Sequence, residues 1–331
     1  MKDMEKLNKW KLYLNKCIRC GYCFEHCQIF KSTRWDSDSP RGKLTMLYGL
    51  LSGDLEPSSY IAAKYFECFQ CNRCQKTCSS GVPVQEIYQD ARAFLREAGY
   101  DIPGTTSRTD HEACALCLAC VRMCKHEARS YVSGRIIVDP LKCRSCGNCL
   151  EVCPVKGIGV EHGYGTNPDE LKEEISKFFS NPEITKAKAV IFSCGWSSYP
   201  GLQNTRYDRL DETPEYIFLV TACAGRLTSE TVLLALNAGA WGVLICGCPE
   251  DECEHGGSVR TKARMKRLTA SLENMGADPG RVEVVEIAQK DSAKFIQVSN
   301  DFMEKIRLLG PLLPGERRDS ESSLQGEGGL S

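Results

Sequence analysis

The most informative segment of the sequence is Cys143-Arg-Ser-Cys146-Gly-Asn-Cys149-Leu-Glu-Val-Cys153-Pro154. Two residues separate neighbours among its first three cysteines, and three residues separate the third cysteine from the fourth. The same spacing recurs in three earlier runs, which begin at Cys17, Cys68 and Cys114. The four runs hold 16 of the 21 cysteines in this 331-residue chain, so thiolate ligation is the dominant chemistry of the sequence.

This spacing is the one that bacterial ferredoxins use for 4Fe–4S clusters. Three closely spaced thiolates wrap three iron corners of one cluster, while the fourth cysteine leaves the loop and points to another cluster. Thiolate is also the soft ligand that iron–sulfur clusters select. Structural zinc is the alternative, but a zinc site needs only four ligands, usually two separated Cys-x-x-Cys pairs. The spacing therefore favours clusters over zinc.

Proximity along the chain pairs the first run with the second and the third run with the fourth. Each pair is expected to exchange fourth ligands, which gives four predicted 4Fe–4S sites. In the first module the ligand sets are Cys17, Cys20, Cys23 and Cys78, and Cys68, Cys71, Cys74 and Cys27. In the second module they are Cys114, Cys117, Cys120 and Cys153, and Cys143, Cys146, Cys149 and Cys124.

The two modules differ in what surrounds the cysteines. Residues 1–103 read as an α-helical ferredoxin domain, in which Val84, Ile87, Ala91 and Leu95 follow helical spacing. Residues 104–163 read as a compact two-cluster ferredoxin domain with a short hairpin between its two runs. A helical linker is expected over residues 164–186, where Asn167 can cap a helix that begins at Pro168.

Residues 187–308 have a different sequence pattern, in which apolar β-rich stretches alternate with predicted amphipathic helices. Alternation of this kind predicts a doubly wound, mostly parallel α/β sheet. The expected strands cover 188–194, 216–223, 241–248 and 281–287, and the expected helices cover 229–239, 258–276 and 290–308. The last segment, 309–331, is rich in Gly, Ser and charge and reads as a disordered tail. The whole chain is thus predicted to be a multidomain α+β protein.

The five remaining cysteines lie in this C-terminal domain, near the carboxyl ends of its predicted strands. Sites in open α/β sheets form at that edge, so we expect Cys194, Cys223, Cys248 and Cys253 to converge as a four-thiolate set. Cys246 falls inside a strand and is interpreted as a small core residue. Four thiolates can hold 2Fe–2S, 4Fe–4S or zinc, and their spacing alone does not choose among these.

The first module resembles the C subunit of heterodisulfide reductase and the iron–sulfur subunit of glycolate oxidase. The resemblance rests on the first two cysteine runs, the PRGK segment at 40–43 and the GVPV segment at 81–84. It implies a helical ferredoxin that passes electrons between flavin and catalytic subunits. The second module resembles an ordinary two-cluster ferredoxin.

The C-terminal domain resembles the delta subunit of methyl-viologen-reducing hydrogenase, through FSCGWSSYPG at 192–201, CAGR at 223–226 and GCPEDECEH at 247–255. That resemblance implies one 2Fe–2S cluster. It also implies a role in linking a hydrogenase or formate dehydrogenase to a heterodisulfide reductase. One departure is that the family commonly has a second cysteine where Ser197 stands here.

Composition and motifs exclude several function classes. The net charge of −1 offers no basic field for nucleic acid, and no stretch approaches the ~20 apolar residues of a membrane span. With no signal core at the N-terminus, the cytoplasm is the expected compartment. No adjacent Cys-Cys pair, Walker motif or dinucleotide fingerprint occurs, so no catalytic residue is assigned.

We therefore expect a non-catalytic electron-transfer subunit. Its expected partners are a flavin-containing, heterodisulfide-reductase-like subunit and a dehydrogenase or hydrogenase subunit, and the family context suggests a complex that bifurcates electrons. The alternative is a reductase that acts directly on a small substrate or disulfide at an open cluster. In that case the C-terminal set, with Ser197 in place of a cysteine, would be the site.

Overall fold

In a computed structural model of the chain, residues 4–100, 107–160, 168–180, 189–195, 215–288 and 291–312 are described. The predicted domain boundaries at 103/104, 163/164 and 186/187 fall outside these ranges. So do Asn167, Ser197 and residues 313–331 of the predicted tail. Among the described residues, no helix is both long enough and apolar enough to cross a bilayer.

The N-terminal part is helical, as predicted. Its helices are α1 (Glu5–Asn8), α2 (Lys11–Lys16), α3 (Gln28–Thr33), α4 (Pro40–Ser52), α5 (Ser59–Phe66), α6 (Arg73–Lys76) and α7 (Val84–Glu97). The core forms between α4, α5 and α7, where Leu47, Tyr65 and Ile87 are fully buried. Helix α4 begins where the Ser39 hydroxyl accepts a hydrogen bond from the Gly42 N–H, a favourable N-cap.

The central part is built from two antiparallel strand pairs that enclose the third and fourth cysteine runs. The outer pair is β1 (Ser107–Thr109) with β4 (Ile158–Val160), and the inner pair is β2 (Arg129–Val132) with β3 (Arg135–Val138). The inner pair is the predicted hairpin. One short helix, α8 (Ala119–Met123), carries the end of the third run.

The C-terminal part contains a four-stranded parallel sheet, with strand order β6-β5-β7-β8. The strands are β5 (Ala189–Cys194), β6 (Tyr216–Thr221), β7 (Gly242–Gly247) and β8 (Val282–Glu286). The helices are α9 (Pro168–Ser180), α10 (Ser229–Asn237), α11 (Gly257–Asn274) and α12 (Ser292–Leu309). The prediction of a parallel sheet is confirmed.

Side chains alternate across β5, as a strand requires. Val190 and Phe192 pack in the cluster formed with α9, α10 and α11, whereas Ala189 and Ile191 pack in the cluster formed with α12. Helices therefore cover both faces of the sheet. One predicted boundary needs correction: β6 ends at Thr221, and Cys223 lies beyond it at the start of a 3-10 turn.

Candidate metal centres

The structure groups the cysteines of the N-terminal module around two cavities. One cavity is lined by Cys17, Cys20, Cys23, Cys74 and Cys78. The other is lined by Cys27, Cys68, Cys71 and Cys74. In each cavity the last cysteine of one run faces the first three of the other, which is the arrangement that ferredoxin spacing leads us to expect.

The central module shows the same arrangement at one of its two predicted sites. Cys143, Cys146, Cys149 and Cys124 line one cavity. Cys120 is buried in a contact cluster that also includes Cys114, Cys149 and Cys153. Cys117, like Cys20 in the first module, is exposed at the protein surface.

All four cysteine loops share one backbone conformation. The second and fourth residues after the first cysteine have positive φ in every run. These residues are Arg19 and Gly21, Gln70 and Asn72, Leu116 and Leu118, and Ser145 and Gly147. A left-handed conformation is costly for most side chains, about 1–2 kcal/mol for each residue. Such conformations turn successive backbone N–H groups toward one centre, which favours an anionic group there. The loops therefore fit an anionic thiolate-bound cluster.

The C-terminal set gathers at the carboxyl edge of the parallel sheet. The Sγ atoms of Cys194 and Cys248 lie 3.4 Å apart. A hydrogen bond from the Cys248 thiol lowers the pKa of Cys253 to about 6, and the backbone N–H groups at 256–258 act in the same direction. Cys223 is buried beside them, where its sulfur accepts a hydrogen bond from the Gly225 N–H. Two thiolates on one tetrahedral metal lie roughly 3.8 Å apart, given bonds of ~2.3 Å, so the Cys194–Cys248 pair fits a shared metal.

Cys246 is separate from this set, as predicted. It is fully buried in β7 and packs with Ala189, Leu244 and Phe302 in the cluster on the α12 face of the sheet. Its thiol is therefore a core group.

Burial favours the protonated form of several cysteine thiols. It raises the pKa of Cys71 and of Cys146 to about 12 each and raises that of Cys223 well above its ordinary value. Thiolate ligands must be deprotonated, so cluster assembly at these positions releases protons. Within the described residues, no three His, Cys, Asp or Glu side chains converge closely enough to hold a single metal ion.

Three of the cysteine sets meet at one junction. Cys194, Cys223, Cys248 and Cys253 pack in one contact cluster with Ile29, Phe69 and Ala222, and with Cys27, Cys71 and Cys146 from the two ferredoxin modules. The C-terminal set thus lies between the modules, although it comes last in the sequence. We name this contact region the three-site junction.

Glycines allow the backbones at the junction to approach closely. A Cβ atom on Gly225 would lie 2.3 Å from Asn148 Oδ1 and 2.9 Å from the carbonyl oxygen of Cys146. A Cβ atom on Gly257 would lie 2.4 Å from Cys223 Sγ. The loops that carry the fourth run and the C-terminal set therefore interlock without room for a methyl group.

Comparisons with known proteins match separate parts of the chain to separate families. Residues 189–310 match the family described as methyl-viologen-reducing hydrogenase, delta subunit. Residues 13–82 match a 4Fe–4S dicluster domain, and residues 136–158 match a 4Fe–4S binding domain. The vhc iron–sulfur D subunit of the F420-non-reducing hydrogenase of Methanococcus voltae is 30% identical over 130 residues, which is 39% of this chain and 90% of that relative. The chain belongs to the hydrogenase delta-subunit family.

Two further relatives have names from other enzymes. The A subunit of the ferredoxin/F420H2-dependent CoB–CoM heterodisulfide reductase of Methanosarcina acetivorans is 30% identical over 201 residues, covering 53% of this chain and 25% of that relative. A probable glycolate oxidase iron–sulfur subunit of Bacillus subtilis is 28% identical over 85 residues, covering 25% of this chain and 19% of that relative. The chain spans about a quarter of the length of the heterodisulfide reductase A subunits that it matches.

These relatives confirm the predicted resemblances to hydrogenase, heterodisulfide reductase and glycolate oxidase iron–sulfur subunits. The heterodisulfide reductase relatives are A subunits, whereas the resemblance predicted from the first module is to the C subunit. The chain is an iron–sulfur electron-transfer protein with 4Fe–4S domains, joined to a delta-subunit domain.

A histidine pair joins the delta-subunit domain to the central module. His255 Nδ1 lies 3.1 Å from His126 Nε2, and the His255 ring meets the Phe69 ring edge-on at 4.7 Å. Burial lowers the pKa of His126 to about 4, with the positive charges of Arg144 and Lys125 acting in the same direction. Burial likewise lowers the pKa of His255 well below its ordinary value, so its ring is neutral and enclosed at the junction.

Sequence reasoning missed several residues that build the junction. Phe69, Asn148 and His126 carried no signal, because their contacts join positions that are far apart in the chain. Arg226 was visible as part of the CAGR segment, but its side chain was given no role. The structure shows it fully buried, with Nε donating a hydrogen bond to the Ser145 carbonyl across the module boundary.

Proposed function

We propose that this chain relays electrons between a hydrogenase, formate dehydrogenase or other dehydrogenase partner and a flavin-containing partner like that of heterodisulfide reductase. The relatives support this assignment, since their names place them in a hydrogenase and in a heterodisulfide reductase. A complex that bifurcates electrons is the proposed setting. The chain itself contributes no catalytic residue to that complex.

The proposed cofactors are four 4Fe–4S clusters and one 2Fe–2S cluster. The 4Fe–4S ligand sets are those in which each run supplies three cysteines and its paired run supplies the fourth. The cavities that gather Cys78 with the first run, Cys27 with the second and Cys124 with the fourth support this exchange. Cys194, Cys223, Cys248 and Cys253 are the proposed ligands of the 2Fe–2S cluster. The clusters supply one-electron redox chemistry, and the protein sets their burial and hydrogen bonding.

The proposed domain layout follows the same assignment. An α-helical ferredoxin domain (1–103) and a two-cluster ferredoxin domain (104–163) precede a linker (164–186) and the doubly wound delta-subunit domain (187–308). Helix α9 packs on the delta-subunit sheet through Ile175. This contact supports the view that the helix in the linker lies on the surface of the delta-subunit domain.

The observation that carries the proposal is the three-site junction, where cysteines of three sets share one buried contact cluster. A chain that only stored clusters would not need to bring three of them together. The exposed Cys20 and Cys117 lie in the two sets that do not take part in the junction. We propose these two sites as the places where partners deliver and collect electrons.

Anaerobic purification with iron and sulfide analysis tests the cofactor assignment. Four 4Fe and one 2Fe clusters require about 18 irons for each chain. A colourless protein that contains zinc and little iron would overturn the proposal. Affinity purification of the full chain from its native cells then tests the relay. We expect a hydrogenase or dehydrogenase partner and a flavoprotein to copurify, and no turnover of small disulfides by the chain alone.

A further inference from the structure

Lys43 is a lysine enclosed within the helical N-terminal module. It is the last residue of the PRGK segment, lies in helix α4 and is only 1% exposed. It lines the cavity formed by Cys27, Cys68, Cys71 and Cys74, which we call the inner cavity. The inner cavity meets the three-site junction, because Cys27 and Cys71 also belong to that contact cluster. A lysine is therefore part of the wall of one proposed 4Fe–4S site.

One backbone carbonyl fixes the position of the Lys43 ammonium group. Lys43 Nζ donates a hydrogen bond of 2.5 Å to the Asp38 carbonyl oxygen. The Cys27 sulfur lies 3.9 Å from the same oxygen. Because both groups contact one atom, the ammonium lies beside the sulfur of a proposed cluster ligand.

No described carboxylate pairs with Lys43. Within the described part of the chain, no carboxylate oxygen lies within 4 Å of Lys43 Nζ, and the Asp38 carboxylate is paired instead with Lys64 Nζ at 2.6 Å. A buried cation is costly unless an anion compensates it. A thiolate-bound cluster in the inner cavity would supply that negative charge.

Gln70 is a second buried donor on the same wall. It lies between Cys68 and Cys71, lines the inner cavity and is only 3% exposed. Its amide nitrogen has no hydrogen-bond partner among the described residues. Buried donors in proteins normally have acceptors, and the sulfurs of a bound cluster would provide them here. The wall therefore suits a group that is anionic and accepts hydrogen bonds.

The neighbouring cavity differs in its charges. We call it the outer cavity, and it is the one lined by Cys17, Cys20, Cys23, Cys74 and Cys78. Its described cationic residues are Arg19, which is exposed, and Arg41, whose side chain is 31% exposed and pairs with Asp36 at 3.4 Å. Water and Asp36 weaken the fields of these two charges, whereas Lys43 acts through buried surroundings.

We propose that Lys43 raises the midpoint potential of the cluster in the inner cavity above that of the cluster in the outer cavity. The proposal rests on the proposed function, because it requires a cluster in each cavity. One electron then passes from the outer cluster, which is oxidised, to the inner cluster, which is reduced, and no bond breaks. The added negative charge interacts favourably with the Lys43 ammonium. This order of potentials favours electron flow from the exposed Cys20 site toward the three-site junction.

Redox titrations of the reconstituted full chain, followed by electron paramagnetic resonance, test this effect. C20S and C71S first assign the signals, because they alter the outer and the inner cluster respectively. In the wild type the inner cluster should have the higher potential. In K43M that potential should fall, with about a tenfold lower ratio of reduced to oxidised inner cluster at a fixed potential, or about 59 mV for a one-electron couple. K43R keeps the charge and should restore most of the shift.

Lys16 provides the matched control. It directly precedes Cys17 but is exposed, and its Nζ lies 5.2 Å from the centre of the Tyr13 ring. Water and salt screen its charge, so K16M should leave both potentials close to those of the wild type. A shift in K16M as large as that in K43M would overturn the proposal, because burial would then not matter.

The remaining outcomes also decide the question. The proposal is wrong if the inner potential is not the higher one in the wild type, if K43M leaves it unchanged, or if K43R lowers it as much as K43M does. If K43M fails to load iron, K43Q and K43R decide. A lowered inner potential in K43Q, or full loading by K43R alone, supports the proposal, whereas an unchanged potential in K43Q or failure of K43R to load contradicts it. A wild-type protein without iron would instead refute the proposed function itself.

Discussion

The Nε atom of Arg226 donates a 2.9 Å hydrogen bond to the carbonyl oxygen of Ser145, joining two residues that are 81 positions apart in the chain. Ser145 lies within the fourth cysteine run, and Arg226 lies three residues after Cys223. One fully buried side chain therefore fixes the central module against the C-terminal set.

Replacing Arg226 with methionine should weaken this attachment. The change leaves the buried Ser145 carbonyl without its donor, which costs about 2 kcal/mol or more. We expect a lower urea midpoint for the reconstituted full chain under anaerobic conditions. The exposed Arg267 of helix α11 provides a control, and R267M should change stability by less than about 0.5 kcal/mol. Equal effects of the two variants would contradict the assigned role of Arg226.

Adding one methyl group at Gly257 should disturb the C-terminal set selectively. The new Cβ atom would lie 2.4 Å from Cys223 Sγ and 2.9 Å from the Gly225 backbone nitrogen, so Cys223 must move. We expect G257A to lose the C-terminal cluster and to keep the ferredoxin clusters, as measured by iron content and electron paramagnetic resonance. Gly159 has no atom within 4 Å of the equivalent Cβ position, and G159A should keep full iron content. Full loading of G257A would refute the prediction.

Two serine substitutions distinguish the proposed ligands of the C-terminal set from the nearby core cysteine, Cys246. C248S should lower the iron content by about two atoms for each chain if the site holds 2Fe–2S, and by about four if it holds 4Fe–4S. C246S alters a fully buried thiol two residues earlier, within β7, on the face that packs against α12. It should reduce stability without loss of iron. Iron loss in C246S would mean that the ligand set is assigned wrongly.

Acid should destabilise the protein through the histidine pair. The pKa of His126 is lowered to about 4, whereas an unfolded histidine titrates near ~6.5. Between these values the unfolded chain binds more protons, so the free energy of unfolding falls as the pH drops from ~6.5 toward 4. H126N should flatten that dependence between about pH 7 and about pH 5.5 in urea unfolding. The control H111N changes an exposed histidine and should keep the wild-type slope. A wild-type slope in H126N would exclude His126 as the source.

Local patterns in the sequence predicted much of the fold because they report on local structure. The helical spacing of Ile87, Ala91 and Leu95 predicted α7, and all three side chains are buried there. The helix predicted over 229–239 is α10, and Thr228 caps it, since its hydroxyl accepts a hydrogen bond from the Thr231 N–H. The alternation of strands and helices predicted the parallel sheet, and hence the edge at which the C-terminal cysteines gather.

The junction could not be predicted in this way. Phe69 meets His255, and Asn148 donates to the His255 carbonyl oxygen, across large separations in the chain. Such contacts depend on how folded domains pack against one another, and no periodic pattern in the sequence predicts them. Chain order suggested a linear sequence of modules with the C-terminal set at one end. The structure places that set in the middle instead, because Cys194 and Cys223 share one contact cluster with Cys71 and Cys146.

The interlocked glycines bear on how electron flow through this chain can be regulated. A Cβ atom on Gly225 would lie 2.3 Å from Asn148 Oδ1, and one on Gly147 would lie 2.6 Å from Arg226 Cγ, so the delta-subunit domain cannot swing away from the central module without first breaking these contacts. These contacts exclude a mechanism in which the domain moves between partners on a flexible linker to deliver electrons. In the proposed relay, these contacts therefore fix the distances between the junction sites, and a valve that opens or closes the route would lie with the partners at the two exposed sites.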